Sequence, residues 1–293
     1  MAGVAAPLPF EPCPGLRRRQ FVNRLMKTLA TGSALMAIAV LGVVVYSVAQ
    51  RGGSAISLAF LTKDPQLFTA GGGIAPFIVG TVELVLIATA IALPLGVLIA
   101  IYLSEFARSR TARPIVLVLD LMNGLPSIVV GLFVFSLLVA HKHQSGLAGS
   151  CGLAIVMLPL VARTTQELLR IVPETLREGA LALGVSRWRT VIGIVLPAAI
   201  GGIVTGTVLA VARVAGETAP LLFATSVYGN GVVLNPDHAV PSIPVQIFNY
   251  SQLPDPSYHT VAWGMALVLM AMILLTSLTA RALHARSRRN LIR

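Results

Sequence analysis

The chain has 293 residues, 56% of them hydrophobic and 11% charged, with a formal net charge of +11. A soluble domain carries about 25% charged residues, so no single water-facing core could hide this apolar surface, and the bilayer must be the solvent. The positive charge does not point to nucleic acid, because the basic residues lie in short clusters between apolar runs, where they set membrane orientation.

A helix needs about 20 apolar residues, each rising about 1.5 Å, to cross the hydrocarbon core. Residues 1–28 form a basic tail. Arg18-Arg19-Gln20-Phe21 and Ser47-Val48-Ala49 mimic an export signal and its cleavage site. The apolar run between them is longer than a signal core, and five further runs follow, so an uncleaved first span over 29–49 is expected. Later spans are expected over 77–103, 115–140, 147–162, 191–222 and 261–283. This predicts an all-α polytopic protein of six transmembrane helices occupying 29–283, with a second basic tail over 284–293. The fourth run is short. The fifth is too long for a straight crossing, and Pro197 predicts a kink near one face.

Counting Arg281 at the end of the last span with the tail it adjoins, eighteen of the 22 Lys and Arg residues fall in the two tails and in the second-to-third and fourth-to-fifth connections. Arg51, Lys63 and Lys142 fall on the other side, and Arg213 falls inside a span. The bias places both termini in the cytoplasm. Cys13 and Cys151 then sit near opposite faces, too far apart for a disulfide. Neither they nor His238 and His259 have metal-ligand spacing, so no metal or cofactor is expected.

The longest inner loop, 163–190, holds a short amphipathic pattern. Pro173 can open a helix, Leu176, Ala180 and Leu183 recur at helical spacing, and Gly184 can end it in a left-handed conformation. Trp188, Arg187 and Arg189 suit the headgroup layer.

Glu83, Asp120, Arg213 and Glu217 fall within spans, where charge is costly unless paired or hydrated. Arg213 and Glu217 lie four apart in the fifth span and can touch. The pair is either a lock between helices or a gate on an anion path. Asp120 suits a hydrogen bond to a neighbouring helix, and Glu83 can reach water at the outer end. Gly202-x-x-x-Gly206 favours close helix packing. Gly71-Gly72-Gly73 reads as a linker, or as an anion nest at a helix start. The outer loop 224–259 is proline-rich and lacks Lys and Arg. Within it, 244–250 suits a short interfacial helix exposing Ile247 and Phe248, either a docking platform or a cap over a pore mouth.

Glu178-Gly179-Ala180, Gly184, Ile194 and Leu196-Pro197 together resemble the EAA signature of permease subunits of ATP-binding-cassette importers. The segments 123–133 (Asn-Gly-Leu-Pro-Ser-Ile-Val-Val-Gly-Leu-Phe), 215–223 (Ala-Gly-Glu-Thr-Ala-Pro-Leu-Leu-Phe) and 243–248 (Ile-Pro-Val-Gln-Ile-Phe) resemble the PstA-type permeases of phosphate-specific importers. The resemblance covers the chain from about Leu61 onward. It implies a MetI-like permease fold in the bacterial inner membrane and alternating-access import of inorganic phosphate. It also implies a homologous PstC-type permease, a PstB-type ATPase dimer and a PstS-type extracytoplasmic binding protein as partners. By the same resemblance, Pro173, Arg177, Glu178, Gly179, Ala180 and Gly184 belong to the ATPase-coupling segment. Arg213 and Glu217 would line the path, and Val245, Gln246, Ile247 and Phe248 would meet the binding protein. The chain has no Gly-x-x-x-x-Gly-Lys-Ser/Thr run, so ATP hydrolysis must come from a partner and the chain is not itself expected to be an enzyme. Phosphonate, sulfate or molybdate remains an alternative cargo. An integral-membrane enzyme would need convergent catalytic groups, and none stands out.

Overall fold

The computed structural model describes residues 16–66, 72–226 and 231–291. Cys13, Gly71 and Arg293, which enter the expectations above, lie outside them. The chain divides into two units, Met1–Gln50 and Arg51–Arg293. The first contributes most of α1 (Leu16–Gly52), a single helix of 37 residues. Its threonines are satisfied locally: the Thr28 and Thr31 hydroxyls donate to the Arg24 and Lys27 carbonyls at 2.8 Å, as helical threonines do in apolar surroundings.

The second unit is a helical bundle. In chain order it holds α2 (Leu58–Thr62), α3 (Ala75–Ile101), α4 (Ser109–Gly124), α5 (Ser127–Val134) and α6 (Gly146–Ile171). Then follow α7 (Glu174–Ala182), α8 (Arg187–Thr190), α9 (Leu196–Val214), α10 (Ala219–Ala224), α11 (Ile243–Ser251) and α12 (Pro256–Leu291). Three helices run into or out of π-helical turns, at Tyr102–Phe106 after α3, Phe135–Val139 after α5 and Val191–Val195 before α9. Among the described residues, five helices are long and apolar enough to span a membrane, and α4 with α5 makes a sixth if that bent pair is one span.

Three spans differ from their expected form. The third breaks by 100° between α4 and α5. Pro126 lacks an N–H and forces Leu125 out of the helical region to ψ 133°, so the helix cannot run through. The fourth is long, not short: α6 has 26 residues, about 39 Å of helix. Arg163 and Arg170 therefore lie on α6, and the loop proper begins at Val172. The fifth ends at Val214 instead of continuing to 222. Pro197 lies inside the continuous helical stretch Arg187–Val214, and the π turn Val191–Val195 immediately before it takes up the backbone bond that its missing N–H cannot make.

The bundle is organised around α6. Leu153, Met157, Val161 and Leu169 on this helix are fully buried, and Leu84, Ala88 and Ala92 of α3 meet it in one core. Against α9 the approach is close. A Cβ on Gly202 would stand 2.6 Å from a Leu168 methyl, a side-chain tip that can turn aside, and one on Gly206 3.2 Å from the Thr164 hydroxyl. The Gly202-x-x-x-Gly206 pair thus faces α6, as packing glycines do. Asp120 of α4 pairs with Arg163 of α6, whose guanidinium also donates to the Val116 carbonyl and the Gln166 Oε1, both at 3.3 Å. Asp120 therefore acts between helices, as its position suggested.

The start of α3 is tied down by backbone bonds. The N–H groups of Gly73, Ile74 and Ala75 donate to the carbonyls of Asp64, Phe60 and Lys63 at 3.0, 2.7 and 3.3 Å. None of these three is free to cradle an anion, so this end of the glycine run is a closed connector. At the start of α12, the Ser257 hydroxyl donates to the Asp255 carboxylate at 2.7 Å and the Ser257 N–H at 2.9 Å. These bonds, helped by nearby His259, hold the Asp255 carboxyl below its usual range.

Candidate functional site

The expected coupling helix exists as α7, nine residues long. Pro173 caps its start in extended conformation and Glu174 sits in the first turn, where a negative charge suits the helix dipole. The exit is a Schellman motif. The Gly184 N–H donates to the Leu181 carbonyl at 2.9 Å and the Val185 N–H to the Ala180 carbonyl at 3.1 Å, with Gly184 at φ +78°. Glycine is needed because the left-handed conformation penalises any Cβ.

The two faces of α7 differ. Ala180 is buried and Arg177 points inward, whereas Glu178 and Gly179 are exposed. Leu176, Leu181 and Leu183 are 46%, 49% and 84% exposed. Two bared leucines on the helix, a third at its C-cap and the acid Glu178 form a surface suited to being covered.

Arg177 leads inward to a residue that the spacing of the motif did not suggest. Its Nη2 donates to the Glu105 Oε1 at 2.9 Å, and its Nε lies 3.3 Å from both Glu105 oxygens. Its Nη1 donates to the Val172 carbonyl at 2.7 Å and its Nη2 also to the Leu169 carbonyl at 2.8 Å. Glu105 is 6% exposed, and the Ser104 hydroxyl donates to its Oε1 at 3.0 Å. Next to it, the Phe106 ring lies 5.7 Å from that of Trp188, and the Arg187 guanidinium sits 5.6 Å over the Phe106 ring. Trp188 and Arg187, expected only at the headgroups, thus also grip the end of α3. Glu105 could have been noticed as the one acid between the apolar run of α3 and the arginines at 108, 110 and 113.

The opposite end carries the remaining expected residues. Arg213 is exposed in the last turn of α9, and Glu217 is half-buried beyond the helix. They do not pair. Among the described residues the ion pairs are Arg163–Asp120 and Arg177–Glu105. The reason is the early end of α9. The chain turns after Val214, with the Gly216 N–H donating to the Arg213 carbonyl at 3.2 Å and the Glu217 N–H to the Val214 carbonyl at 3.0 Å, so the i, i+4 helical geometry is lost.

Beyond that turn, α10 inserts between α5 and α6. A Cβ on Gly131 would meet the Ala219 carbonyl at 2.9 Å, and one on Gly152 would meet Pro220 at 3.1 Å. The 123–133 and 215–223 segments, distant in sequence, therefore form one packed unit. The α11 helix forms as expected but is largely buried. Its Ile243 N–H donates to the buried Thr81 hydroxyl of α3 at 2.9 Å. Val245 and Gln246 are 2% and 1% exposed, while Phe248 is 44% exposed. Of the four residues expected to meet a binding protein, Val245 and Gln246 are therefore turned into the fold, because the helix packs against α12 and α3 instead of lying free on the interface.

Residues 92–289 match the family model described as the binding-protein-dependent transport system inner membrane component. The phosphate transport system permease protein PstA of Yersinia pestis is 40% identical over 92% of this chain and 92% of its own length. PstA of Haemophilus influenzae is 37% identical over 89% and 93%, and PstA 1 of Mycobacterium tuberculosis is 35% identical over 94% and 90%. Among solved structures, a bacterial alginate ABC transporter in complex with an alginate-bound periplasmic protein aligns over 93% of this chain and 98% of its own, with a TM-score of 0.66 and 13% identity. The methionine transporter MetNI in an inward-facing conformation aligns over 73% and 94%, with a TM-score of 0.57 and 17% identity. These two share the fold. The chain belongs to the family of binding-protein-dependent transport system inner membrane components, within its PstA-type permeases.

Proposed function

We propose that this chain is one membrane half of an ATP-driven importer of inorganic phosphate. The observation that carries the reading is identity of 40% to a phosphate permease across 92% of both chains. The partners are a homologous PstC-type permease, a PstB-type ATPase dimer and a PstS-type extracytoplasmic binding protein, and nucleic acid has no part. The arginine bias puts both termini, and α7 with them, in the cytoplasm.

The exposed face of α7, with Glu178, Gly179 and its bared leucines, docks into a cleft on the ATPase. Fully burying an exposed leucine contributes roughly 1.5–3 kcal/mol; Leu183 is 84% exposed, and the half-buried Leu176 and Leu181 have about half of that left to gain. ATP binding closes the ATPase dimer and draws the α7 helices of the two permeases together, and the spans rock to face outward. Only different affinities of the two ATPase states for the two permease states can drive this. Arg213 and Glu217, unpaired with each other at the outer end, belong to the anion path. Arg213 attracts phosphate, and Ile247 with Phe248 forms the part of α11 that meets the binding protein.

The test is uptake by the four-component complex in vesicles. ATP-dependent accumulation of phosphate, with sulfate and molybdate excluded, supports the assignment. Preference for either competitor would overturn the cargo, and no accumulation of any anion would overturn the transport reading.

A further inference from the structure

A pull on α7 does work only if α7 cannot swivel about its own connections. Both connections are short: Val172 and Pro173, with ψ 125° and 137°, are extended on one side, and on the other Gly184 is left-handed and Ser186 extended. Neither continues the helix, so the backbone alone does not join α7 rigidly to α6 or α8. What stiffens the lever is Arg177. Its guanidinium engages the Glu105 carboxylate on the last turn of the α3 segment and two carbonyls, Leu169 and Val172, at the end of α6. Planar five-donor geometry makes arginine suited to this and lysine not. The carboxylate is buried and further held by Ser104, so the pair is little screened by solvent.

The receiving element is unusual too. Glu105 and Phe106 lie in the π turn Tyr102–Phe106, closed by the Ala107 N–H donating to the Tyr102 carbonyl at 2.7 Å. The turn ends the helix, with Ala107 beyond it already extended. It is gripped twice by the same loop, through Glu105 by α7 and through Phe106 by Arg187 and Trp188 of α8.

We infer that Glu105 and Arg177 are positioning residues that form the force-transmitting link of the permease, delivering the motion of α7 to α3 and α6 through the Tyr102–Phe106 turn. The inference rests on the reading of α7 as the ATPase-docking helix and adds where the force goes next. A buried pair with one partner removed is destabilising, whereas removal of both partners can be neutral. Stability and transmission can therefore be separated.

The experiment uses the complete four-component complex in vesicles and reads thermal stability, ATPase retention and phosphate moved per ATP hydrolysed. Glu105→Leu lowers stability. The double variant Glu105→Leu/Arg177→Met regains it, yet both move at least about tenfold less phosphate per ATP than the parent. Glu105→Gln, which keeps size and an acceptor, covers the case in which the apolar variants fail to assemble, and it too loses phosphate per ATP. A double variant, or Glu105→Gln where only it assembles, that transports with parental stoichiometry while the ATPase stays bound overturns the link and leaves the docking reading intact. Retention of the ATPase by Leu181→Asp/Leu183→Asp overturns the docking reading instead.

Discussion

Replacement of Gly184 isolates the geometry of the lever tip from its chemistry. At this position φ is +78°, and a Cβ would meet no heavy atom within 4 Å. Alanine therefore suffers no clash, and its whole cost is the left-handed backbone, about 1–2 kcal/mol. That is about a 5–30-fold shift away from the capped loop. Opening it releases the Leu181 and Ala180 carbonyls from the Gly184 and Val185 N–H groups and loosens the bared leucines of the proposed docking face. Asparagine fills the same space but visits the left-handed region readily. The assay is affinity of the ATPase for permease complexes carrying Gly184→Ala or Gly184→Asn, with uptake measured alongside. Alanine should weaken ATPase binding by up to that factor, through the smaller binding-competent fraction, and asparagine far less. Equal binding by the two variants would refute the argument that backbone conformation at the exit presents the docking face.

Gly202→Leu drives a side chain into Leu168 across the α6–α9 contact and should cost about 1–3 kcal/mol, read as a lowered unfolding midpoint in detergent. Gly216→Ala, whose Cβ has 3.7 Å of clearance to the Arg213 carbonyl, should leave that midpoint unchanged. Thr81→Val removes the acceptor for the Ile243 N–H and strands a buried donor, at about 1–3 kcal/mol. Protease cutting within the outer loop should rise accordingly. Arg213→Gln should abolish phosphate uptake while the second permease and ATPase still co-purify, and normal uptake would remove Arg213 from the path.

Much of the fold was legible because hydropathy and glycine or proline chemistry act locally. The apolar runs, the α7 start at Pro173 and its exit at Gly184 all depend on residues within a turn of one another. Pro197 was legible as a disturbance, but its resolution as a π turn was not, since that depends on how Val191 and Val195 pack among Leu169, Ala199 and Ile203. Pro126 can kink the third span by the same proline argument as Pro197, but the size of the break, 100°, was not legible in the hydrophobic run across it. The Glu105–Arg177 pair spans 72 positions, and periodicity says nothing about contacts at that distance. Gln246 was placed at the binding-protein contact by the family resemblance; it is buried because α11 packs against α12 and α3, a contact that no local pattern reveals. Arg213 and Glu217 failed to meet because the turn at Ala215-Gly216 overrode the helical spacing assumed for them.

The most direct measurement is ATP-driven phosphate uptake by vesicles holding the complete complex, with the chain either unchanged or carrying Leu181→Asp and Leu183→Asp on the exposed face of α7. The unchanged complex should accumulate phosphate against a gradient, and the altered one should lose both its ATPase and its uptake. Full accumulation by the altered complex would contradict the claim that α7 is where the motor takes hold.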